Sequence, residues 1–177
     1  MADTALLILD VQQALFDVAP RPFEADLVVQ RINQLSEAAR AAGFPVIYMQ
    51  TEVPGWLLPD SPGWQLQAGL QSQAGDHFLR KSKANAFLDS ALDKLLQDLT
   101  IKQLIICGYA SEFCIDSTVR HASSLGYTII LPADAHTTHD KEHLSAEQIR
   151  QHHSLTLSRS PVVKAPTSMA LLEQLSQ

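Results

Sequence analysis

The chain has 177 residues, 46% hydrophobic and 18% charged, which fits one domain of ordinary size and excludes a disordered polypeptide. A formal net charge of -6 without any run of Lys or Arg argues against a phosphate-neutralising surface, and so against nucleic acid as a partner. No apolar stretch approaches the roughly 20 residues that cross a bilayer, and no cleavage-site pattern opens the sequence, so a soluble cytoplasmic domain spanning residues 1–177, with no membrane partner, is expected.

The first apolar run, Ala5-Leu6-Leu7-Ile8-Leu9, lacks polar alternation and predicts a strand covered on both faces. Asp10 ends it, where a carboxylate loses water and needs a hydrogen bond or a cation; capping the following turn is the alternative role. Leu27, Val28, Ile32, Leu35 and Ala39 recur at helical spacing before Gly43, and Pro45-Val46-Ile47-Tyr48-Met49 predicts a second buried strand. From Thr51 to Gly75 periodicity disappears, and Pro54, Trp56, Pro59, Pro62 and Trp64 mark a long loop of the kind that covers a pocket. His77-Phe78-Leu79-Arg80 is a weaker strand running into Lys81, which beside Arg80 and Lys83 also reads as part of a solvated basic edge.

Leu88, Leu92, Leu95 and Leu96 predict a helix, and Leu104-Ile105-Ile106-Cys107 a buried strand that ends at Gly108. Cys107, in mid-strand, is expected to be an inert buried thiol. After Gly108, Ser111 is placed to cap a helix bearing Ile115, Val119 and Ala122, with Cys114 in its first turn. Free N–H groups and the positive helix end favour a thiolate there, a nearby ammonium favours it further, and the same N–H groups could hold an oxyanion. Two such cysteines suggest reduced thiols in a reducing compartment and no disulfide framework. Gly126 precedes a fourth buried strand, Thr128-Ile129-Ile130-Leu131, and Val162-Val163 with a Leu-containing helix closes the chain. The histidines, His77, His121, His136, His139, His143, His152 and His153, show no zinc-like spacing, so surface or capping roles and no bound metal are expected.

Strands alternating with helices predict a doubly wound α/β domain, Rossmann-like in topology, with a six-stranded, mostly parallel sheet and helices on both faces. Such sheets bind ligands beyond the carboxyl ends of their strands, which brings Asp10, Lys81 and Cys114 forward as a converging set.

Four segments carry a family resemblance: Leu7-Ile8-Leu9-Asp10-Val11-Gln12 followed by Phe16; Lys81-Ser82-Lys83-Ala84-Asn85-Ala86-Phe87; Cys107 through Cys114; and Gly126-Tyr127 leading to Leu131-Pro132-Ala133-Asp134-Ala135. Together they resemble the isochorismatase-like cysteine hydrolases, which include nicotinamidases and carbamoylsarcosine amidase-type enzymes; Ser111 stands where the family's Gly-x-x-Thr-x-x-Cys element has Thr. The resemblance implies a triad of Asp10, Lys81 and Cys114, a cis peptide at Tyr109-Ala110, and an oxyanion hole built from the N–H groups of Ala110 and Cys114. It implies a small-molecule substrate, no cofactor and a homo-oligomer, dimer or tetramer. Gln12, Phe16, Trp56, Trp64, Tyr109 and Glu112 are candidate pocket residues. The metal-binding Asp-x-His element of nicotinamidases is unmatched, since Gln50-Thr51-Glu52-Val53 stands in its place. A cysteine at position 114 favours cleavage of an amide, lactam or ureido C–N bond over vinyl ether hydrolysis. A catalytically silent thiol protein of the same fold is the alternative from another class.

Overall fold

The structure, a computed structural model, describes residues 3–176. In chain order the elements are β1 (Thr4–Leu9), α1 (Gln13–Phe16), α2 (Ala25–Ala41), β2 (Val46–Thr51), β3 (His77–Lys81), α3 (Leu92–Asp98) and β4 (Gln103–Tyr109). They continue with α4 (Asp116–Ser124), β5 (Thr128–Ile130), β6 (His136–Thr137), α5 (Ala146–Leu157), β7 (Val163–Lys164) and α6 (Ser168–Leu175). Among the described residues no helix is long and apolar enough to cross a membrane.

The sheet is parallel throughout, in the order β3-β2-β1-β4-β5-β7, with β6 also paired to β4. β1 is buried along its whole length because both of its faces are covered. Ala5, Leu7 and Leu9 join Ile47, Leu104 and Ile106 beneath Leu92, Leu96, Val119 and Ala122 of α3 and α4. Leu6 and Ile8 face the opposite way, with Val28, Ile32, Leu35 and Ala39 of α2. Each Leu, Ile or Val among them contributes about 1.5–3 kcal/mol on burial, so a polar residue on either face of β1 is costly. This two-sided burial is the physical reason that β1 carries no alternation.

The sheet has seven strands where six are expected. Pro132 has no N–H to donate, so the fourth apolar run leaves the ladder after Ile130 and rejoins it at His136. β5 pairs with Gln103–Ile105 and β6 with Gly108–Tyr109, on the side of β4 away from β1; the seven strands therefore fill six lateral positions. Two helical expectations also shift. Leu27 of α2 is exposed, and Leu88 lies exposed in a turn before α3 begins at Leu92. The sequence reading passes over α5, although Ser145 and Gln148 form a reciprocal capping box at its start.

Candidate active site

The strand order reverses between β1 and β4, and the chain leaving each of those strands supplies one residue at that crevice. Asp10 follows β1 with φ 56, a left-handed conformation that Asp tolerates better than most residues. Its N–H donates to Met49 O at 2.9 Å and its C=O accepts from Gln12 N–H at 3.0 Å, so the turn is held on both sides.

Lys81 ends β3, which β2 separates from β1. Two strand spacings, about 10 Å, are bridged because a lysine stem is long and its head finds partners across that gap. Lys81 Nζ lies 2.8 Å from Asp10 Oδ2 and 3.3 Å from Cys114 Sγ, and it donates to Lys83 O at 3.1 Å. The ammonium thus has hydrogen-bond acceptors in Cys114 Sγ and Lys83 O and an ion pair with the Asp10 carboxylate. Asp10 and Lys81 are each 1% exposed and Cys114 is 6% exposed. Lys81 is therefore no part of a solvated basic edge, and Asp10 is no simple turn cap.

Cys114 follows β4 through Gly108 and a cis peptide between Tyr109 and Ala110. Gly108 has φ +114, and a Cβ there would lie 2.1 Å from Leu9 O, so no other residue fits between the two central strands. The following turn, Ser111–Ile115, is wider than an α-turn: Ile115 N–H reaches back five residues to Ala110 O at 3.1 Å.

Two sequence expectations for this turn require correction. Ser111 does not cap the helix; it is the first residue of the wide turn, and its Oγ lies 2.8 Å from His136 Nδ1. Cys114 is not a resting thiolate either. Burial pushes its thiol up to about 12, the Asp10 carboxylate adds to that, and Lys81 opposes it. The ammonium effect is smaller than the loss of water around a nearly enclosed sulfur. Burial likewise raises Asp10 above the ordinary carboxylate value, against the pull of Lys81. Burial works against the charge on Lys81, yet the Asp10 carboxylate beside it helps to shift the ammonium upward. Burial therefore raises both Asp10 and Cys114, and Lys81 opposes the shift at each.

The other expected site residues are placed unevenly. Phe16 is fully buried and meets the Tyr109 ring edge-on at 6.0 Å, and Tyr109 Oη lies 2.8 Å from His139 Nδ1. Glu112 accepts from Thr138 Oγ1 at 2.8 Å and pairs with Lys141 at 3.1 Å. Gln12 departs from the expected role of a free polar contact: its amide nitrogen donates to Trp64 O at 2.8 Å and Thr51 O at 3.1 Å, and its oxygen accepts from Thr51 N–H. Trp64 is buried as an anchor of the long loop, where Gln50 also donates to its carbonyl at 3.0 Å. Trp56 does not wall an enclosed space; it is 58% exposed.

Both cysteines are free and buried, and Cys107 is pushed still higher than Cys114 by burial alone. Among the described residues no group of three or more His, Cys, Asp or Glu is arranged to hold a metal ion. His136, expected at the surface or in a cap, is instead fully buried.

A parallel doubly wound sheet that gathers a carboxylate, an ammonium and a thiol at its switch point defines a class of α/β proteins with a buried, charge-compensated cysteine. The chain belongs to the isochorismatase family, whose Isochorismatase domain matches residues 4–157. It is 38% identical to a streptothricin hydrolase of Streptomyces noursei over 138 residues, which cover 77% of this chain and 50% of that protein. It is 29% identical to a ureidoacrylate amidohydrolase of Pseudomonas savastanoi pv. phaseolicola, covering 75% of this chain and 70% of that one. The chain spans about half the length of the streptothricin hydrolases it matches. A crystal structure of an isochorismatase family protein, 34% identical, superposes with a TM-score of 0.88 and covers 94% of this chain and 99% of that one.

Proposed function

We propose that this chain is a cysteine hydrolase that cleaves the C–N bond of a small amide, lactam or ureido compound through a thioester on Cys114. The observation that carries the reading is the position of Lys81 Nζ, 2.8 Å from the Asp10 carboxylate and 3.3 Å from Cys114 Sγ, with all three groups buried. Structural ion pairs seldom include a nucleophile, whereas perturbed acid, base and thiol groups in contact are what covalent acyl transfer requires.

The proton inventory gives the order of events. Cys114 starts protonated, so Asp10 takes the thiol proton as Sγ bonds to the substrate carbon. The N–H groups of Ala110 and Cys114 are the proposed donors to the oxygen that becomes negative. The C–N bond then breaks, and the departing nitrogen takes the proton from Asp10. Water next gives a proton to Asp10 and attacks the thioester carbon; the C–S bond breaks and Sγ recovers that proton. Lys81 stays charged throughout and balances the carboxylate whenever it is ionised. The sequence uses no cofactor. Relatives named a streptothricin hydrolase and a ureidoacrylate amidohydrolase support hydrolysis, and the second name supports an amide-type bond.

The test is a panel of small amides, lactams and ureido compounds assayed for ammonia or amine release. Cys114→Ala should lower turnover of any substrate found by at least about a thousandfold, as loss of a nucleophile does. Full turnover by Cys114→Ala would remove the covalent mechanism.

A further inference from the structure

His136 touches neither Asp10, Lys81 nor Cys114 through a hydrogen bond, yet its side chain and the strand that carries it both hold the segment leading to Cys114. In β6 it pairs with Gly108, and Gly108 N–H donates to the adjacent Ala135 O at 3.0 Å. Its Nδ1 is 2.8 Å from Oγ of Ser111, the first residue of the turn that carries Cys114. On the far side its Nε2 is 2.9 Å from Ser154 Oγ on α5. Strand β6 therefore holds both ends of the segment from Gly108 to Ser111, through the Ala135 carbonyl at one end and the His136 side chain at the other.

The proton positions follow from the far end of this chain of bonds. Ser154 Oγ lies 2.9 Å from Arg150 O, a carbonyl that accepts and never donates, so the single Ser154 hydroxyl proton points there. This arrangement favours the tautomer in which His136 Nε2 carries hydrogen and donates to Ser154 Oγ. Burial, with Arg150 and His153 adding to it, pushes the imidazole down to about 3, so it is neutral near pH 7 and has one N–H. Nδ1 is left as an acceptor, and Ser111 donates to it. The bonds run in one sense, from Ser111 to His136 to Ser154 to Arg150 O, and bonds aligned in this way strengthen one another in a low dielectric.

We propose that His136 is the positioning residue of the cysteine turn: it takes the Ser111 hydroxyl proton in a directed hydrogen bond and so fixes Cys114 against Asp10 and Lys81. Its importance to catalysis rests on the reading of Cys114 as nucleophile, but its test does not. Because the one Ser111 proton is spent on His136, the Ser111 hydroxyl offers lone pairs, and no donor, to anything bound beside Cys114.

Alkylation by iodoacetamide reads the thiol without any substrate. In the native turn Cys114 is nearly enclosed and its thiol is pushed up to about 12, chiefly by burial. Releasing the turn lets water in, so the pH midpoint of alkylation falls toward the ordinary value of 9.0. The rate at pH 8 then rises by at least about tenfold, since thiolate is the reacting form. Ser111→Ala and His136→Leu should behave this way. Ser111→Thr, which keeps the hydroxyl, and His136→Asn, whose Oδ1 replaces Nδ1 as acceptor, should keep the native profile. Cys107, fully buried in β4, serves as an internal control for global opening and should stay unlabelled by peptide mass analysis. A native pH profile for Cys114 in both Ser111→Ala and His136→Leu overturns the proposal. Labelling of Cys107 in step with Cys114 also overturns it, because the role is then one of overall stability. Turnover by Cys114→Ala is a separate measurement, so failure of the covalent mechanism leaves the alkylation result to be read by itself.

Discussion

A carboxylate and an ammonium removed from water as fully as Asp10 and Lys81 cost several kcal/mol each to desolvate, and their mutual attraction offsets that cost while both are present. Lys81→Met leaves an uncompensated carboxylate and should destabilise the fold by about 3–5 kcal/mol near pH 8. The loss should shrink as pH falls, because an unpaired Asp10 then takes a proton. Lys81→Met/Asp10→Asn removes both charges and should be more stable than Lys81→Met alone; chemical denaturation at two pH values measures this, and an additive double variant contradicts the pairing. The raised Asp10 also sets the acid side of any pH–rate profile. A base whose proton affinity is raised by burial ionises above the ordinary 3.8, so turnover should fall with decreasing pH before that value is reached. An acid limb at or below 3.8 contradicts Asp10 as the base.

At the scale of elements, the turn from β4 into the cysteine segment depends on Gly108. A methyl group there meets Leu9 O at 2.1 Å, and Leu9 belongs to the other central strand, so neither side can yield cheaply. Gly108→Ala should lower the melting temperature steeply or prevent folding; an unchanged melting temperature contradicts the close approach of β1 and β4. The elements themselves were legible where both faces of a strand are buried, since β1, β2 and β4 read as unbroken apolar runs. Strand β6 was not legible, because two residues leave no period to detect and pairing with Gly108 and Tyr109 is a long-range event. Gln12 shows the same limit from the other side: its residue type suggested a free polar contact, while tertiary packing gives its amide to the backbone of Thr51 and Trp64.

Across the whole molecule, the topology and the candidate site were accessible from sequence to different depths. Apolar runs alternating with helical spacing specify a doubly wound sheet, and that sheet directs attention to strand ends, where Asp10 and Cys114 stand. Lys81 required the family resemblance, because Arg80 and Lys83 make it look like surface, and its burial emerges when β3 is laid beside β2. The charge state of Cys114 was misread because a sequence shows the helix start and not the depth of the sulfur. The homo-oligomer implied by the resemblance stays a proposal, with Phe113, beside Cys114 in sequence and largely exposed, as a surface such a contact would cover. All of these strands meet in the assignment of Cys114 as the attacking atom. Intact and peptide mass spectrometry of the protein, acid-quenched during turnover of an amide or ureido substrate, tests it most directly. The expected result is a mass increase equal to the acyl group, confined to the peptide containing Cys114 and lost on treatment with hydroxylamine; steady turnover with an adduct on another residue would contradict it.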